Sequence, residues 1–302
     1  MRFHFLLTNH FRYGCFRIED ICVPIATGLG ALGHTVTYGF DDDVPPWPAV
    51  NLLVENFNNP ALVEQMERLK AGRQRFCFGL VGHEDIADAG VFANPSFPGR
   101  RPYLERALQL VDFGWTIVPC DYRAMPGGER MRFLEYGYAP ELRHDARLPR
   151  DIDVLFYGEL GQRRLPLFNA LVSRGLKVEA SFGLLPAFFV QDLIDRAKVV
   201  ADIGRADGLR FLTPTRICAA LHRGATVLSE QIDRSPLARL YRYTAPVSID
   251  DFVDTAVMVA RSEQGPEIGL KAREMFAAET SMAANLRRVM DLEVFAELAG
   301  TA

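Results

Sequence analysis

Residues 213–216, Thr-Pro-Thr-Arg, have the residue types best suited to binding an anion. They open a predicted helix just after an apolar strand and a polar loop. Proline is favoured there because the N–H it lacks would be unpaired anyway, and Thr213 is placed to cap the helix. The exposed N–H groups, the hydroxyls of Thr213 and Thr215, and Arg216 together suit a diphosphate. Glu230 ends the next strand, where its carboxylate could accept hydrogen bonds from ribose. The competing interpretation is a capped helix with surface ion pairs.

The loop at 157–164, YGELGQRR, is a second candidate anion site. Gly158 permits close approach of the backbone to a ligand, and Glu159 follows it. Arg163 and Arg164 lie at the start of the next predicted helix, where positive charge opposes the helix dipole. That placement hints that an anion offsets them, but the favoured interpretation is a simple strand-to-helix turn with solvated arginines.

Gly28, Gly30 and Gly33 match the dinucleotide fingerprint G-x-G-x-x-G. The fingerprint requires a strand before the glycines and a helix after them, so that bare N–H groups meet a pyrophosphate. Here the order is reversed, because apolar residues spaced three and four apart predict a helix over 18–32, and 34–40 reads as a strand. We therefore interpret the segment as a helix packed closely on a sheet and ended by Gly33.

The elements that would position these residues alternate along the chain, as in a parallel sheet covered on both faces. A polar break at 139–151 separates two such series, which predicts two Rossmann-like α/β domains facing a central cleft. The predicted strands of the first half are 2–8, 34–40, 50–56, 74–82 and 113–119, with helices at 18–32, 61–72 and 101–111. After the break, DIDVLFYGE begins a second series of strands and helices.

The composition of the 302-residue chain, 49% hydrophobic and 24% charged, is that of an ordinary globular protein. A net charge of −4 gives no basic excess for nucleic acid. No apolar run is long enough to span a membrane. Five scattered cysteines favour a reducing cytoplasm. We expect no metal, because no His/Cys cluster has zinc spacing and the aspartates at 41–43 read as a solvated acidic loop.

Several short motifs give the chain a resemblance to a known family. They are LGALGHTVTYG, YGYAPEL, DIDVLFYGELGQRR and PTRICAALHRGATVLSE, and together they extend over most of the sequence. The organisation resembles glycosyltransferases of the GT-B fold, within them the bacterial spore-maturation-protein-like and glycosyl transferase group 1 families. The resemblance implies a hexosyltransferase-like enzyme that moves a sugar from a UDP- or GDP-linked donor to an unknown acceptor, without a metal or cofactor.

The same resemblance assigns domains and donor-binding residues. It implies an acceptor-side domain at 1–148 and a donor-side domain at 149–302, with a final helix that could cross back to the first domain. The expected donor-binding residues are Gly158, Glu159, Arg164, Thr213, Thr215, Arg216 and Glu230. Such proteins commonly carry a carboxylate three residues after the arginine, but Ala219 occupies that position here. Ribose recognition then shifts to Glu230, or the donor site is disabled and the chain is a non-catalytic binding protein or a partner of an active transferase.

The catalytic base is expected in the first domain if the transfer inverts the anomeric carbon, because a side chain must then take the proton of the acceptor hydroxyl. His10 follows the first predicted strand, and His83 follows a later one with Glu84 and Asp85 beside it. A retaining enzyme would instead depend on the diphosphate leaving group. A sugar-nucleotide epimerase is a third interpretation, which the reversed glycine motif disfavours.

Overall fold

The structure is a computed structural model. It describes residues 1–7, 18–39, 44–55, 60–86, 100–145, 149–158, 160–181, 185–204, 213–232 and 235–300. His10 and Glu159 lie outside these ranges, as do the aspartates at 41–43.

The first sheet is parallel and has the strand order β2-β1-β3-β4-β5-β6. Its strands are β1 Arg2–Leu6, β2 Thr35–Gly39, β3 Ala49–Val54, β4 Cys77–Gly82, β5 Phe113–Thr116 and β6 Met131–Phe133. Strands β3 and β4 are buried along their whole length, as expected for central parallel strands covered on both faces. The five predicted strands are all present. The sequence analysis does not predict β6, because this edge strand has only three residues, none of them buried.

Helices α1 Glu19–Ala31, α2 Ala61–Ala71 and α3 Arg100–Leu110 lie where the apolar spacing predicts them. The end of α1 explains the glycine motif. Gly33 adopts a left-handed φ of +81°, its N–H donates to Gly30 O, and the N–H of His34 donates to Leu29 O. This is a Schellman ending. Gly28 and Gly30 lie inside the helix, so this segment has no strand-first phosphate loop.

The C-terminal helices α10 Met282–Val289 and α11 Glu293–Gly300 pack on the first sheet and its helices. Gly28 makes room for α10, since an added Cβ would lie 2.6 Å from Leu286 Cδ1. Phe295 of α11 contacts Phe113 edge-on, with ring centroids 4.7 Å apart. The tail thereby covers an aromatic part of the core formed by Phe113 and Trp115.

The second sheet is also parallel, in the order β11-β10-β9-β7-β8. Its strands are β7 Ile152–Tyr157, β8 Val178–Ser181, β9 Ala197–Asp202, β10 Thr226–Glu230 and β11 Ala245–Val247. Its helices are α4 Gly161–Ser173, α5 Ala187–Arg196, α6 Pro214–His222, α7 Ala238–Tyr241, α8 Phe252–Arg261 and α9 Gly265–Glu279. An apolar core of Val154, Phe156, Val199 and neighbouring residues fills the space between this sheet and its helices.

The chain divides into two compact units, one of Met1–Glu135 with Met282–Ala302, and one of Tyr136–Ser281. These bounds differ from the expected division after residue 148. Residues 136–148 belong to the second unit because Tyr138 stacks on His222, with ring centroids 5.0 Å apart. The N–H of Ala139 also donates to His222 Nε2 at 3.0 Å.

Candidate functional site

Three neighbouring strands of the second sheet end in polar residues. Tyr157 ends β7, Asp202 ends β9 and Glu230 ends β10. The order β10-β9-β7 places these ends side by side. Ligands of open parallel sheets bind at this carboxyl edge, and of these three residues the sequence predicted Glu230 as a site residue.

Arg216 of α6 connects two of these strand ends. Its guanidinium forms a buried ion pair with Asp202, and its Nη2 donates to the carbonyl of Tyr157 at 2.8 Å. The guanidinium also lies 4.9 Å from the ring centre of Phe156, close enough for a cation–π contact. Burial raises the pKa of the Asp202 carboxyl, and the charge of Arg216 opposes that increase.

Arg163 and Arg164 of α4 reach the same edge. Arg163 forms a fork with Glu230, with Nη1 2.9 Å from Oε2, and the N–H of Gly204 donates to the same carboxylate at 2.8 Å. Arg164 is buried, and its Nη2 donates to the carbonyl of Ile203 at 2.7 Å. The positive charge of Arg163 is therefore offset by Glu230, a carboxylate of the chain itself. From the sequence alone, the position of Arg163 had suggested a bound anion in this role.

Gly158 lies directly after β7 with φ of +123°. Side chains rarely adopt this conformation, and an added Cβ would lie 3.1 Å from Arg216 Nη2. The absence of a side chain lets the Gly158 backbone lie close to the guanidinium.

The start of α6 completes this group. Thr213 occupies the N-cap position and is exposed, and Pro214 follows in the first turn. The predicted side-chain cap is not formed, because Thr213 makes no capping hydrogen bond. Thr215 is buried. With no acidic residue in its first turn, the helix directs its positive dipole end outward from this point.

We call the group formed by Arg163, Arg164, Arg216, Asp202 and Glu230 the arginine edge. These five described residues carry three guanidiniums and two carboxylates. Among the described residues, Asp202 Oδ2 and Arg216 Nε have no hydrogen-bond partner although both are buried. Buried polar atoms normally have a partner. The N–H at Arg216 Nε therefore lacks an acceptor, such as a ligand oxygen or water, and Asp202 Oδ2 lacks a donor. The arrangement suits an anion with several oxygen acceptors.

His83, the other described candidate residue, lies in the first unit among charged groups. It follows β4 and sits beside Glu55, which follows β3. His83 Nε2 lies 2.6 Å from the backbone carbonyl oxygen of Glu55. Arg100 of α3 donates to both oxygens of Glu55, at 3.1 Å each. His83 belongs to the first unit and the arginine edge to the second.

Sequence reasoning missed three of these residues, Asp202, Glu55 and Arg100. Asp202 and Glu55 each carry the first charge after an apolar run, in VVAD and VNLLVE, and that signal could have identified both. Arg100 has no comparable local signal, since it pairs with a residue 45 positions away.

Comparisons with solved structures identify the fold class of the chain. No family model matches the chain, and no curated protein matches it significantly in sequence. Solved structures do match. An alpha-glucosyltransferase in complex with UDP-glucose and DNA has 8% identity and a TM-score of 0.58, with 96% of this chain and 98% of that chain covered. Sucrose-phosphate synthase from Thermosynechococcus elongatus has 12% identity and a TM-score of 0.58, with both chains covered completely.

A protein described as a UDP-N-acetylglucosamine 2-epimerase from Listeria monocytogenes also matches. It has 10% identity and a TM-score of 0.51, with 96% of this chain and 94% of that chain covered. The chain has the GT-B fold, with two Rossmann-like parallel-sheet units. A fold shared by transferases and an epimerase does not by itself decide the reaction.

In the described ranges, no three His, Cys, Asp or Glu side chains are grouped so that they could hold a metal ion. None of the described helices has the length and apolar character needed to cross a bilayer.

Proposed function

We propose that the protein transfers a sugar from a nucleoside-diphosphate donor, UDP- or GDP-linked, to an acceptor hydroxyl. The second unit would hold the donor and the first unit would receive the acceptor. The observation that carries this proposal is the arginine edge beside the start of α6. The carboxyl edges of both sheets bear charged groups, and the fold is one in which solved glucosyltransferases are found.

The arginine edge would act on the leaving group. Negative charge grows on the diphosphate as the bond to the sugar breaks, and prearranged guanidinium and N–H donors stabilise that charge. In this proposal Arg216 and the first turn of α6 take the diphosphate, with Thr213 and Thr215 beside it. Gly158 and Glu159 would lie beside it. Arg164, which donates to the carbonyl of Ile203 just after β9, would hold the start of α4 to that segment. This charge stabilisation is supplied by the chain itself, without a metal or cofactor.

Glu230 would accept hydrogen bonds from the ribose hydroxyls. Its carboxylate already receives Arg163 and the Gly204 N–H, yet a carboxylate has about four acceptor positions. Ala219 stands where the glycosyltransferases that the chain resembles commonly carry a carboxylate, so we assign the ribose hydroxyls to Glu230. The fork with Arg163 would fix the carboxylate in one orientation.

The test is a thermal-shift panel of UDP, GDP, dTDP and CDP, with NAD as the control. A ligand at a hundredfold excess over its dissociation constant stabilises the folded state by about 2.7 kcal/mol. We expect one nucleoside diphosphate to raise the melting temperature. A response to NAD alone would favour a dinucleotide enzyme, and no response would contradict the donor site.

A substitution that tests the arginine edge must not leave one member of a buried ion pair without its oppositely charged partner. Arg216→Ala would bury an unpaired Asp202, a change that costs about 3–5 kcal/mol of stability. The double variant Arg216→Gln/Asp202→Asn removes both charges and keeps the side-chain volumes similar. Its diphosphate affinity should fall about 10- to 100-fold, the value of one charged hydrogen bond. Arg174→Gln, which removes an exposed arginine of the same unit, is the control. Unchanged affinity in a folded double variant would refute the assignment.

A non-catalytic binding protein is the second candidate function. It is favoured by Ala219 and by the engagement of both Glu230 oxygens with Arg163. This alternative predicts weak or absent nucleotide binding and no release of nucleoside diphosphate from UDP-glucose. Measured release that depends on Arg216 would exclude it.

A further inference from the structure

Three donors of the second unit hold the carboxylate of Glu230, which ends β10. Its Oε2 accepts hydrogen bonds from Arg163 Nη1 at 2.9 Å and from the N–H of Gly204 at 2.8 Å. Its Oε1 accepts one from Arg163 Nη2 at 2.5 Å. The two-pronged contact with the guanidinium and the backbone N–H together fix the orientation of the carboxylate plane.

The Glu230 carboxylate has one acceptor position left. A carboxylate offers about four such positions, two on each oxygen. Oε2 receives two donors, so both of its positions are filled, whereas Oε1 receives one donor from the described part of the chain. The remaining position is therefore on Oε1, and it can take one further hydrogen bond.

Of the two carboxylates of the arginine edge, Glu230 is the one that a ligand can reach. The Glu230 side chain is 13% exposed, but Asp202 has no exposed surface. Asp202 also pairs with the buried Arg216, so a hydroxyl from outside would have to open that ion pair to reach it. A hydroxyl of a bound nucleotide would therefore donate to Glu230.

We propose that Glu230 accepts a hydrogen bond from one ribose hydroxyl and not from two. Ribose presents two neighbouring hydroxyl groups, at C2′ and C3′, and a carboxylate with one open position can serve only one of them. The proposal rests on the proposed donor site and narrows it. The ligand class of the site then includes ribonucleoside diphosphates and one of their two monodeoxy forms. Arg163 is the positioning residue that sets this specificity, because it fills a position on each Glu230 oxygen.

The size of the preference follows from the charge of the acceptor. A hydrogen bond to a charged group contributes more to binding than one between neutral groups. Removing the hydroxyl that donates to Glu230 should therefore weaken binding about 10- to 100-fold. Removing the other hydroxyl should change the affinity by about threefold or less, because Glu230 offers that hydroxyl no acceptor position.

The first experiment compares UDP, 2′-deoxy-UDP and 3′-deoxy-UDP by isothermal titration calorimetry on the full chain, with the corresponding guanosine diphosphates as a second series. We expect one deoxy form to lose about 10- to 100-fold in affinity and the other to bind within about threefold of the ribose form. A large loss for both deoxy forms, or no loss for either, would overturn the proposal and leave the donor site standing. No binding in either series would contradict the proposed function, and this proposal with it.

The second experiment repeats the comparison with variants. Glu230→Gln removes the charge of the acceptor and should reduce the larger loss to about threefold or less. Arg163→Met opens a position on each Glu230 oxygen, so the deoxy form that bound like UDP should now bind about tenfold more weakly than UDP. Glu179→Gln, which removes an exposed carboxylate of β8, is the control and should keep the wild-type ratios. A folded Arg163→Met variant with the wild-type ratios would overturn the role assigned to Arg163.

Discussion

His222 should make the stability of the second unit depend on pH. The ring is buried at the end of α6, where it stacks on Tyr138. Its Nδ1 donates to the carbonyl of Cys218 at 2.7 Å, and its Nε2 accepts the N–H of Ala139 at 3.0 Å. Both contacts require a neutral ring, because a protonated Nε2 could no longer accept. Burial lowers the pKa of His222 to about 4.

The magnitude follows from that value. The unfolded chain takes up the proton near pH 6.5, and the folded chain takes it up only near pH 4. The stabilisation is therefore fully present above about pH 6.5 and is lost as the pH falls towards 4. At about 1.4 kcal/mol for each pH unit, the difference amounts to about 3 kcal/mol. His222→Gln, whose side chain does not titrate, should lack this part of the pH dependence.

The assay is urea unfolding between pH 4.5 and 7.5. Both tryptophans, Trp47 and Trp115, lie in the first unit, so fluorescence follows that unit alone. Far-UV circular dichroism follows both units, and the difference between the two signals reports the second unit. His144→Gln, at a half-exposed histidine, is the matched control. If the wild type and His222→Gln lose equal stability between pH 6.5 and 4.5, the buried neutral ring is not the cause.

Two further predictions concern packing and thiol chemistry. Gly28→Ala should lower stability by about 1–3 kcal/mol, because the added methyl group would overpack against Leu286. Gly30→Ala, in open space on the same helix, should raise stability by up to about 1 kcal/mol. Equal melting temperatures for the two variants would contradict the close α1–α10 contact. Burial raises the pKa of Cys77 to about 12, so iodoacetamide at pH 8 should modify the half-buried Cys120 before Cys77. Peptide mapping that finds Cys77 labelled earlier would contradict its placement.

Local patterns in the sequence predicted the elements of the fold. Apolar runs predicted strands such as β1, β3 and β4, and three- and four-residue spacing predicted helices such as α1, whereas the three-residue edge strand β6 was not predicted. Gly33 ended α1 because only a residue without a side chain adopts its φ readily. The start of α6 at residues 213–216 also followed from local residue types. Each of these features depends on residues that are close neighbours in the sequence.

The partners of the charged side chains were decided by tertiary structure alone. Arg216 pairs with a residue 14 positions away, Arg100 with one 45 away and Arg163 with one 67 away. Such pairs form only after strand order has placed particular strand ends side by side, and residue spacing contains no record of that order. The C-terminal helices show the same limit, since their apolar faces could have covered either sheet. The sequence therefore determined where chemistry could occur along the chain, and the packing of the sheets determined which groups meet.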